Sequence, residues 1–166
     1  MSESITIALD VMSGDNGPSP ALLGSIKSLR IIDDLKITLI GNESDINPTL
    51  KDLDKTLRDR LKVIHTDQYI KMDEDIVSAI RNKKKSSMRL AIDSVKNKDA
   101  HACVSAGNTG ALMSLSKILG LSITHLSGSF SVISVPGRPI GCIVVCLTCS
   151  LHFSTEYDDF EALAIS

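Results

Sequence analysis

The sequence predicts an α/β fold in which helices cover both faces of a mostly parallel sheet. Three observations lead to this prediction. Strand-like and helix-like segments alternate over the first 118 residues, their connections are short, and two glycine-rich loops directly follow buried strands. Such alternation is typical of a three-layer α/β/α sandwich of Rossmann-like arrangement, because each crossover helix returns the chain to a parallel strand. Ligands in such sheets bind beyond the carboxyl ends of the strands.

Hydrophobic periodicity assigns the individual elements. Short apolar runs predict strands, and apolar residues three or four apart predict amphipathic helices. The first half forms, in order, a strand at Ile5–Leu9, a helix at Ser19–Arg30 capped by Ser19, a strand at Leu35–Ile40, a charged helix at Glu43–Leu61 broken near Pro48, and a strand at Leu61–Ile64. A linker around Asp67–Met72 then precedes a helix at Glu74–Lys83, a helix starting at Ser86 or Ser87, a buried strand at Ala100–Val104, and a helix that follows the stretch SAGNTGA.

The composition argues against several classes of function. The 166 residues have a formal net charge of −2 and 3% aromatic residues, so neither a basic surface nor exposed rings indicate binding to nucleic acid. The start MSESITIALD lacks the basic segment of a secretory signal, and the apolar run Ile140–Leu151 is too short to span a bilayer. We expect a cytoplasmic protein with reduced cysteines.

The composition changes near Leu119. Arg138 is the only one of the 18 Lys and Arg residues that lies beyond this point. We expect strands at Ser129–Val135 and Gly141–Leu147 and a short helix at Phe160–Ile165 in this C-terminal stretch.

Three cysteines in the C-terminal stretch have the spacing C-x3-C-x2-C, which iron–sulfur enzymes also use. On a strand, Cys142 and Cys146 share one face and Cys149 points to the other, so the three thiols do not converge. Adding His152 as a zinc ligand does not improve the geometry. Buried structural cysteines are the favoured interpretation, and no metal site is predicted.

The stretch SAGNTGA joins a buried strand to a helix and is the first candidate site. Gly107 and Gly110 free the backbone, Asn108 can cap the helix, and the hydroxyls of Ser105 and Thr109 are donors. Two interpretations remain open: an oxyanion site at a helix N-terminus, or a tight turn with an ordinary N-cap. The glycine spacing matches neither a Walker loop nor a dinucleotide-binding motif.

The stretch KKKSSMR is the second candidate. Ser87 and Arg89 lie in the first turn of a predicted helix, where a cation is unfavourable for the helix dipole unless a counter-charge such as phosphate is bound. We interpret these two residues as functional and the preceding lysines as a solvated basic run.

The third candidate is the loop within ALDVMSGDNGPSP. Asp10, Gly14, Asp15 and Gly17 can position a substrate group or pair with Arg89, although a turn with an Asx cap is the alternative. An acidic loop repels phosphate, so its expected role is to orient donors.

Together, ITIALDVMSGDNGPSP, KKKSSMRLAIDSVKN and DAHACVSAGNTGALM resemble the bacterial acyl-ACP:phosphate acyltransferases of phospholipid synthesis, where ACP is acyl carrier protein. The motifs occur in order over roughly residues 4–118. The family's usual second glycine in the first loop is Ser13 here. The resemblance implies a fold similar to those of phosphate acetyltransferases and of isocitrate and isopropylmalate dehydrogenases.

The resemblance also assigns roles to residues of this chain. The catalytic residues that it implies are Asp10, Asp15, Arg89 and Asn108. The residues implied to bind phosphate or the acyl group are Gly14, Gly17, Ser87, Arg89, Ser105, Gly107, Asn108, Thr109 and Gly110, with Met88 beside them. It implies no bound cofactor and no metal, because phosphate itself can attack the thioester.

The family makes acyl phosphate from an acyl-ACP thioester and inorganic phosphate, and a membrane glycerol-3-phosphate acyltransferase consumes the product. Its members are cytosolic homodimers with peripheral membrane association. Residues 1–118 would form the N-terminal part of such a domain. We expect residues 119–166 to be a divergent or frameshifted tail, so that the fold is truncated and the chain has little activity.

Two rival functions follow from the same residues. One is a phosphate acetyltransferase-like enzyme that uses CoA. The other is a non-catalytic fragment that binds phosphate or the carrier protein.

Overall fold

The computed structural model describes residues 4–119 in full and, beyond them, the backbone of three strands at 122–127, 130–134 and 143–146. The strands are β1 (Ile5–Asp10), β2 (Leu35–Gly41), β3 (Leu61–His65), β4 (Ala102–Ser105), β5 (Ser122–Ser127), β6 (Phe130–Ser134) and β7 (Ile143–Cys146). The helices are α1 (Ser19–Ile31), α2 (Glu43–Leu50), α3 (Lys55–Arg58), α4 (Ile76–Asn82), α5 (Ser87–Lys96) and α6 (Thr109–Ile118).

Five strands form one sheet in the order β3-β2-β1-β4-β7, and every pairing in it is parallel. Strand β1 lies in the middle, where Ile7 is opposite Ile37 of β2 on one side and Ala102 of β4 on the other. The chain builds outward from β1 to β3 and then crosses back to β4. This reversal is a topological switch point between β1 and β4, the place where α/β sheets bind ligands.

Helices pack on both faces of the sheet, which confirms the predicted three layers. One core lies under α4, α5 and α6 and includes Ala8, Ile40 and Cys103. The other lies under α1, α2 and α3 and includes Ile37 and Leu39. Full burial of an aliphatic side chain of this size stabilises the fold by about 1.5–3 kcal/mol. Alternation along β1, β2 and β3 thus supplies both cores.

Two element predictions need correction. Ser19 is the first residue of α1 rather than its cap, since Pro18 occupies the cap position and proline is pre-organised for a helix start. The helix expected at Glu43–Leu61 is two helices, α2 and α3. Pro48 lies inside α2 and has no N–H for the helical ladder, and α2 ends two residues later.

Beyond residue 119 the two predicted strands are present as β6 and β7, each within its predicted range. Strand β5 was not predicted, and it pairs antiparallel with β6 in a separate two-stranded sheet. The helix expected at Phe160–Ile165 lies outside the described residues.

Candidate functional site

The two glycine-rich loops meet at the switch point because their strands are neighbours. Asp10 ends β1 and Ser105 ends β4, and the register places these two residues opposite each other. The Ser105 hydroxyl donates a hydrogen bond of 2.8 Å to Oδ2 of Asp10. One side-chain pair therefore joins loops whose sequences are 95 residues apart.

The Asp10 carboxylate is buried, with 1% of its surface exposed, and it is fully engaged. Its Oδ1 accepts hydrogen bonds from the main-chain N–H groups of Met12 (3.2 Å) and Ser13 (3.3 Å). The Ser105 oxygen in turn accepts from the N–H of Gly107 at 3.2 Å. An aspartate at a strand end commonly folds the next residues around its side chain in this way. Asp10 thereby fixes the shape of both loops.

The expected pair between Asp10 and Arg89 is not formed. Nε of Arg89 lies 3.7 Å from Oδ2 of Asp93, one turn further along α5. An i,i+4 pair on one helix needs no long-range fit, whereas all the recorded bonds of Asp10 run to the β1 and β4 loops. Asp10 therefore orients the two loops and does not orient the Arg89 side chain.

Asn108 is the N-cap of α6, one of the roles that the sequence left open for it. Its Oδ1 accepts from the N–H of Ala111 at 3.0 Å, and its Nδ2 donates to the Met72 carbonyl at 2.8 Å. Thr109 and Gly110 follow as the first residues of the helix. The cap therefore also holds the segment 67–73 against the start of α6. The proposed binding of an oxyanion by this loop remains a prediction.

Three glycines of the candidate site are required by backbone geometry or close approach. Gly14 and Gly17 have φ of +130° and +67°, a region that favours glycine. Gly107 has no room for a side chain, since an added Cβ would lie 2.5 Å from Cβ of Ser13 and 2.9 Å from Cε of Met88. The first loop, the start of α5 and the SAGNTGA loop thus converge at Gly107.

Ser87, a predicted substrate residue, is completely buried, and its hydroxyl has no hydrogen-bond partner among the described residues. The same holds for Ser86, and for Ser13, which is 3% exposed. Asp15 is exposed at the rim of the first loop. Sequence analysis did not assign Ser13 or Ser86 to the site. The departure from the family's glycine at Ser13 was the one available signal.

Two cavities border the first loop. A cleft of about 350 Å³ lies between Met12, Gly14 and Asp15 on one side and residues 69–73 on the other. A larger cavity of about 580 Å³ also reaches Gly14 and Asp15, and extends beside α1 along the apolar side chains of Ile7 and Leu9. Met72, which lines the smaller cleft, accepts the hydrogen bond from Asn108 at the start of α6.

Within the part of the chain that the structure describes, no group of three or more His, Cys, Asp or Glu side chains is placed to hold a metal ion. Cys142 and Cys149 lie outside the described residues, and Cys146 ends β7. Every helix in the described part of the chain is too short or too polar to cross a membrane.

Comparison with known proteins shows the family. The family described as "Fatty acid synthesis protein" matches residues 5–147. The phosphate acyltransferase of Shewanella sp. (strain W3-18-1) is 46% identical over 116 residues, which are 70% of this chain and 34% of the relative. That of Shewanella amazonensis is 35% identical over 165 residues, 98% of this chain and 47% of the relative.

The chain therefore spans between about a third and a half of the length of these curated relatives. The family match reaches 29 residues beyond Ile118, further than the motifs that carry the resemblance. The match also includes both glycine-rich loops and the start of α5. The chain belongs to the fatty acid synthesis protein family.

Proposed function

We propose that this chain carries the phosphate site of an acyl-ACP:phosphate acyltransferase. In this reaction an acyl thioester of the carrier protein and inorganic phosphate give acyl phosphate and the free carrier thiol. The observation that carries the proposal is the buried pair of Asp10 and Ser105, which joins two glycine-rich loops at the switch point of the sheet. The relatives' printed name, phosphate acyltransferase, supports the same chemistry.

The proposed mechanism is direct attack. A phosphate oxygen forms a bond to the thioester carbonyl carbon, the carbon–sulfur bond breaks, and the phosphate proton passes to the leaving thiolate. The helix start at Thr109 and Gly110 offers a positive dipole end for the oxyanion that develops on the carbonyl oxygen. Phosphate is already a nucleophile, so positioning and electrostatics supply most of the rate.

Residue roles are assigned accordingly. Asp10 and Asn108 position the loops, since both side chains are engaged in hydrogen bonds within the protein. Arg89 is 23% exposed and supplies positive charge to bound phosphate, and Asp15 contacts the substrate at the rim. The remaining proposed binding residues are Gly14, Gly17, Ser87, Ser105, Gly107, Thr109 and Gly110.

The wider context is part of the same proposal. The substrates are the acyl carrier protein and inorganic phosphate, and a membrane glycerol-3-phosphate acyltransferase consumes the product. The protein acts as a cytoplasmic homodimer that associates peripherally with the membrane. No nucleic acid is involved.

The test is an assay for acyl phosphate by mass spectrometry, with acyl-ACP and acyl-CoA offered in parallel. It is run on this chain and on the longer Shewanella amazonensis relative. Acyl phosphate formed from acyl-ACP supports the proposal. Strong preference for acetyl-CoA would contradict it and favour the CoA-dependent rival. If calorimetry detects binding of phosphate or of the carrier protein, and neither protein shows turnover, the non-catalytic rival is favoured.

A further inference from the structure

Three buried serine hydroxyls, those of Ser13, Ser86 and Ser87, have no hydrogen-bond partner among the described residues. Buried polar side chains in folded proteins almost always have a partner. Three such exceptions call for a partner outside the described residues.

Two of the hydroxyls lie at the start of α5. Ser86 holds the N-cap position, where a serine normally accepts a hydrogen bond from an N–H of the first turn, yet its side chain makes no such bond. The N–H of Ser87 donates to the Gln68 carbonyl at 2.8 Å. The N–H of Leu90 donates to the Ser86 carbonyl and forms the first hydrogen bond of the helix. The N–H groups between them, of Met88 and Arg89, donate to no other described residue. Unpaired donors therefore surround the positive end of the helix dipole.

The third hydroxyl approaches from the first loop. Oγ of Ser13 and Cε of Met88 each come within 2.9 Å of the position that a Cβ on Gly107 would take. Ser13 thus lies near the end of the Met88 side chain, which projects from the second residue of α5. Its main-chain N–H is held by Asp10, which leaves its hydroxyl as the free donor.

We infer that the start of α5 is a phosphate subsite in which the hydroxyls of Ser13, Ser86 and Ser87 and the N–H groups of Met88 and Arg89 bind a tetrahedral oxyanion. Hydroxyl and N–H donors around a helix N-terminus are the groups that such an anion needs. The inference rests on the proposed function only for the identity of the anion as the phosphate substrate. It places phosphate at α5, which leaves the start of α6 for the thioester carbonyl.

The segment 67–73 covers this subsite. Gln68 accepts hydrogen bonds from the N–H groups of Ser87 and Lys85, and Met72 is held by Asn108. Phosphate therefore reaches the hydroxyls when this segment moves outward. Residues 69–73 of the same segment form one wall of the 350 Å³ cleft.

The experiment is a titration of inorganic phosphate into the whole chain by calorimetry, paired with urea unfolding in phosphate-free buffer. The variants are Ser87→Ala, Ser86→Ala and Ser13→Ala. The matched control is Ser94→Ala, because Ser94 is also a buried serine of α5 but its hydroxyl donates to the Leu90 carbonyl at 2.8 Å. Phosphopantetheine, a phosphate monoester, is titrated separately, to distinguish inorganic phosphate from the phosphate group of the carrier's prosthetic arm.

We expect Ser87→Ala to weaken phosphate binding by about tenfold or more while leaving unfolding in phosphate-free buffer unchanged or shifted to higher urea. Ser94→Ala should do the reverse, with lower stability and unchanged binding. Absence of phosphate binding by the wild-type chain would overturn the inference, as would three serine variants that lose stability and keep their affinity. So would phosphopantetheine binding without binding of free phosphate.

The outcomes separate this inference from the proposed function. Acyl phosphate formation with unchanged phosphate affinity in all three variants supports the function and overturns the subsite. Phosphate binding that depends on these serines, without turnover in this chain or in the longer relative, supports the subsite and contradicts the function.

Discussion

At the scale of single residues, Asp10 has the largest structural role in the candidate site. Its carboxylate accepts three hydrogen bonds while almost fully buried, two from its own loop and one from Ser105. Removing a buried acceptor leaves its donors unsatisfied, which costs more than the bond itself contributes. Of the two carboxylates of the first loop, that of Asp10 therefore stabilises the loops from inside the protein, whereas that of Asp15 is exposed to solvent.

We expect Asp10→Ala to lower the free energy of unfolding by about 2–3 kcal/mol, because at least two buried donors lose their partner. Asp10→Asn should cost about 1 kcal/mol, since the amide oxygen still accepts from the loop N–H groups. Urea unfolding measures both. Asp15→Asn is the control: at an exposed position it should change stability by less than about 0.5 kcal/mol. Equal effects at the two positions would show that the buried network does not stabilise the loops.

Gly107 is the second residue on which the structure of the candidate site depends, because three segments of the chain meet at its Cα. We expect Gly107→Ala to destabilise by about 1–3 kcal/mol through overlap with Ser13 and Met88. In a Ser13→Gly background the cost should fall by about 0.5 kcal/mol or more, since the atom at 2.5 Å is then absent. A double-mutant cycle in thermal unfolding measures this coupling. Identical costs in the two backgrounds would mean that the loop moves aside.

At the scale of elements, the segment 67–73 connects the two helix starts, and α4 holds it in place. Nζ of Lys83 lies 2.5 Å from the Glu74 carboxylate and also donates to the Tyr69 carbonyl. Glu74 accepts in addition from the N–H of Lys71. The Lys83 hydrogen bond, followed by that of Lys71, holds the pKa of Glu74 below its ordinary value of 4.5.

This pKa shift gives the Glu74–Lys83 pair a defined pH dependence. A carboxylate with a lowered pKa in the folded state stabilises the protein above pH 4.5, and the contribution is lost as the pH falls through the lowered pKa. We expect Glu74→Gln to reduce stability at neutral pH and to have no effect in strong acid, as measured by urea unfolding across this range. Asp73→Asn controls for the loss of one negative charge in the same segment. A constant difference between Glu74→Gln and wild type at all pH values would contradict the assignment.

At the scale of the whole molecule, the site depends on the sheet order rather than on any one element. Strands β1 and β4 are far apart in sequence, and the loops meet only because β1 is central and β4 pairs with its second edge. Any ligand held between these loops binds the folded chain and not the unfolded one. Binding must therefore raise the stability of the whole described domain.

We expect phosphate at a hundredfold excess over its dissociation constant to stabilise the chain by about 2.7 kcal/mol, or roughly 5–10 °C in thermal unfolding. Sodium chloride at equal ionic strength is the control, because it reproduces screening without a tetrahedral oxyanion. The Ser87→Ala variant, which should bind about tenfold more weakly, should gain only about half of this stabilisation at the same phosphate concentration. An equal response of the wild-type chain to both would contradict specific binding.

The layered parallel fold, most element boundaries to within a few residues and the two loops at the strand ends could be predicted from the sequence. These follow from periodicity and turn chemistry, which are local properties of the chain. The contacts of the site could not: Asp10 pairs with Ser105 instead of Arg89, Gly107 lies against Ser13, and the buried hydroxyls of Ser86 and Ser87 have no hydrogen-bond partner among the described residues. Such contacts join residues up to 95 positions apart, and they depend on strand order and packing, which no local pattern encodes.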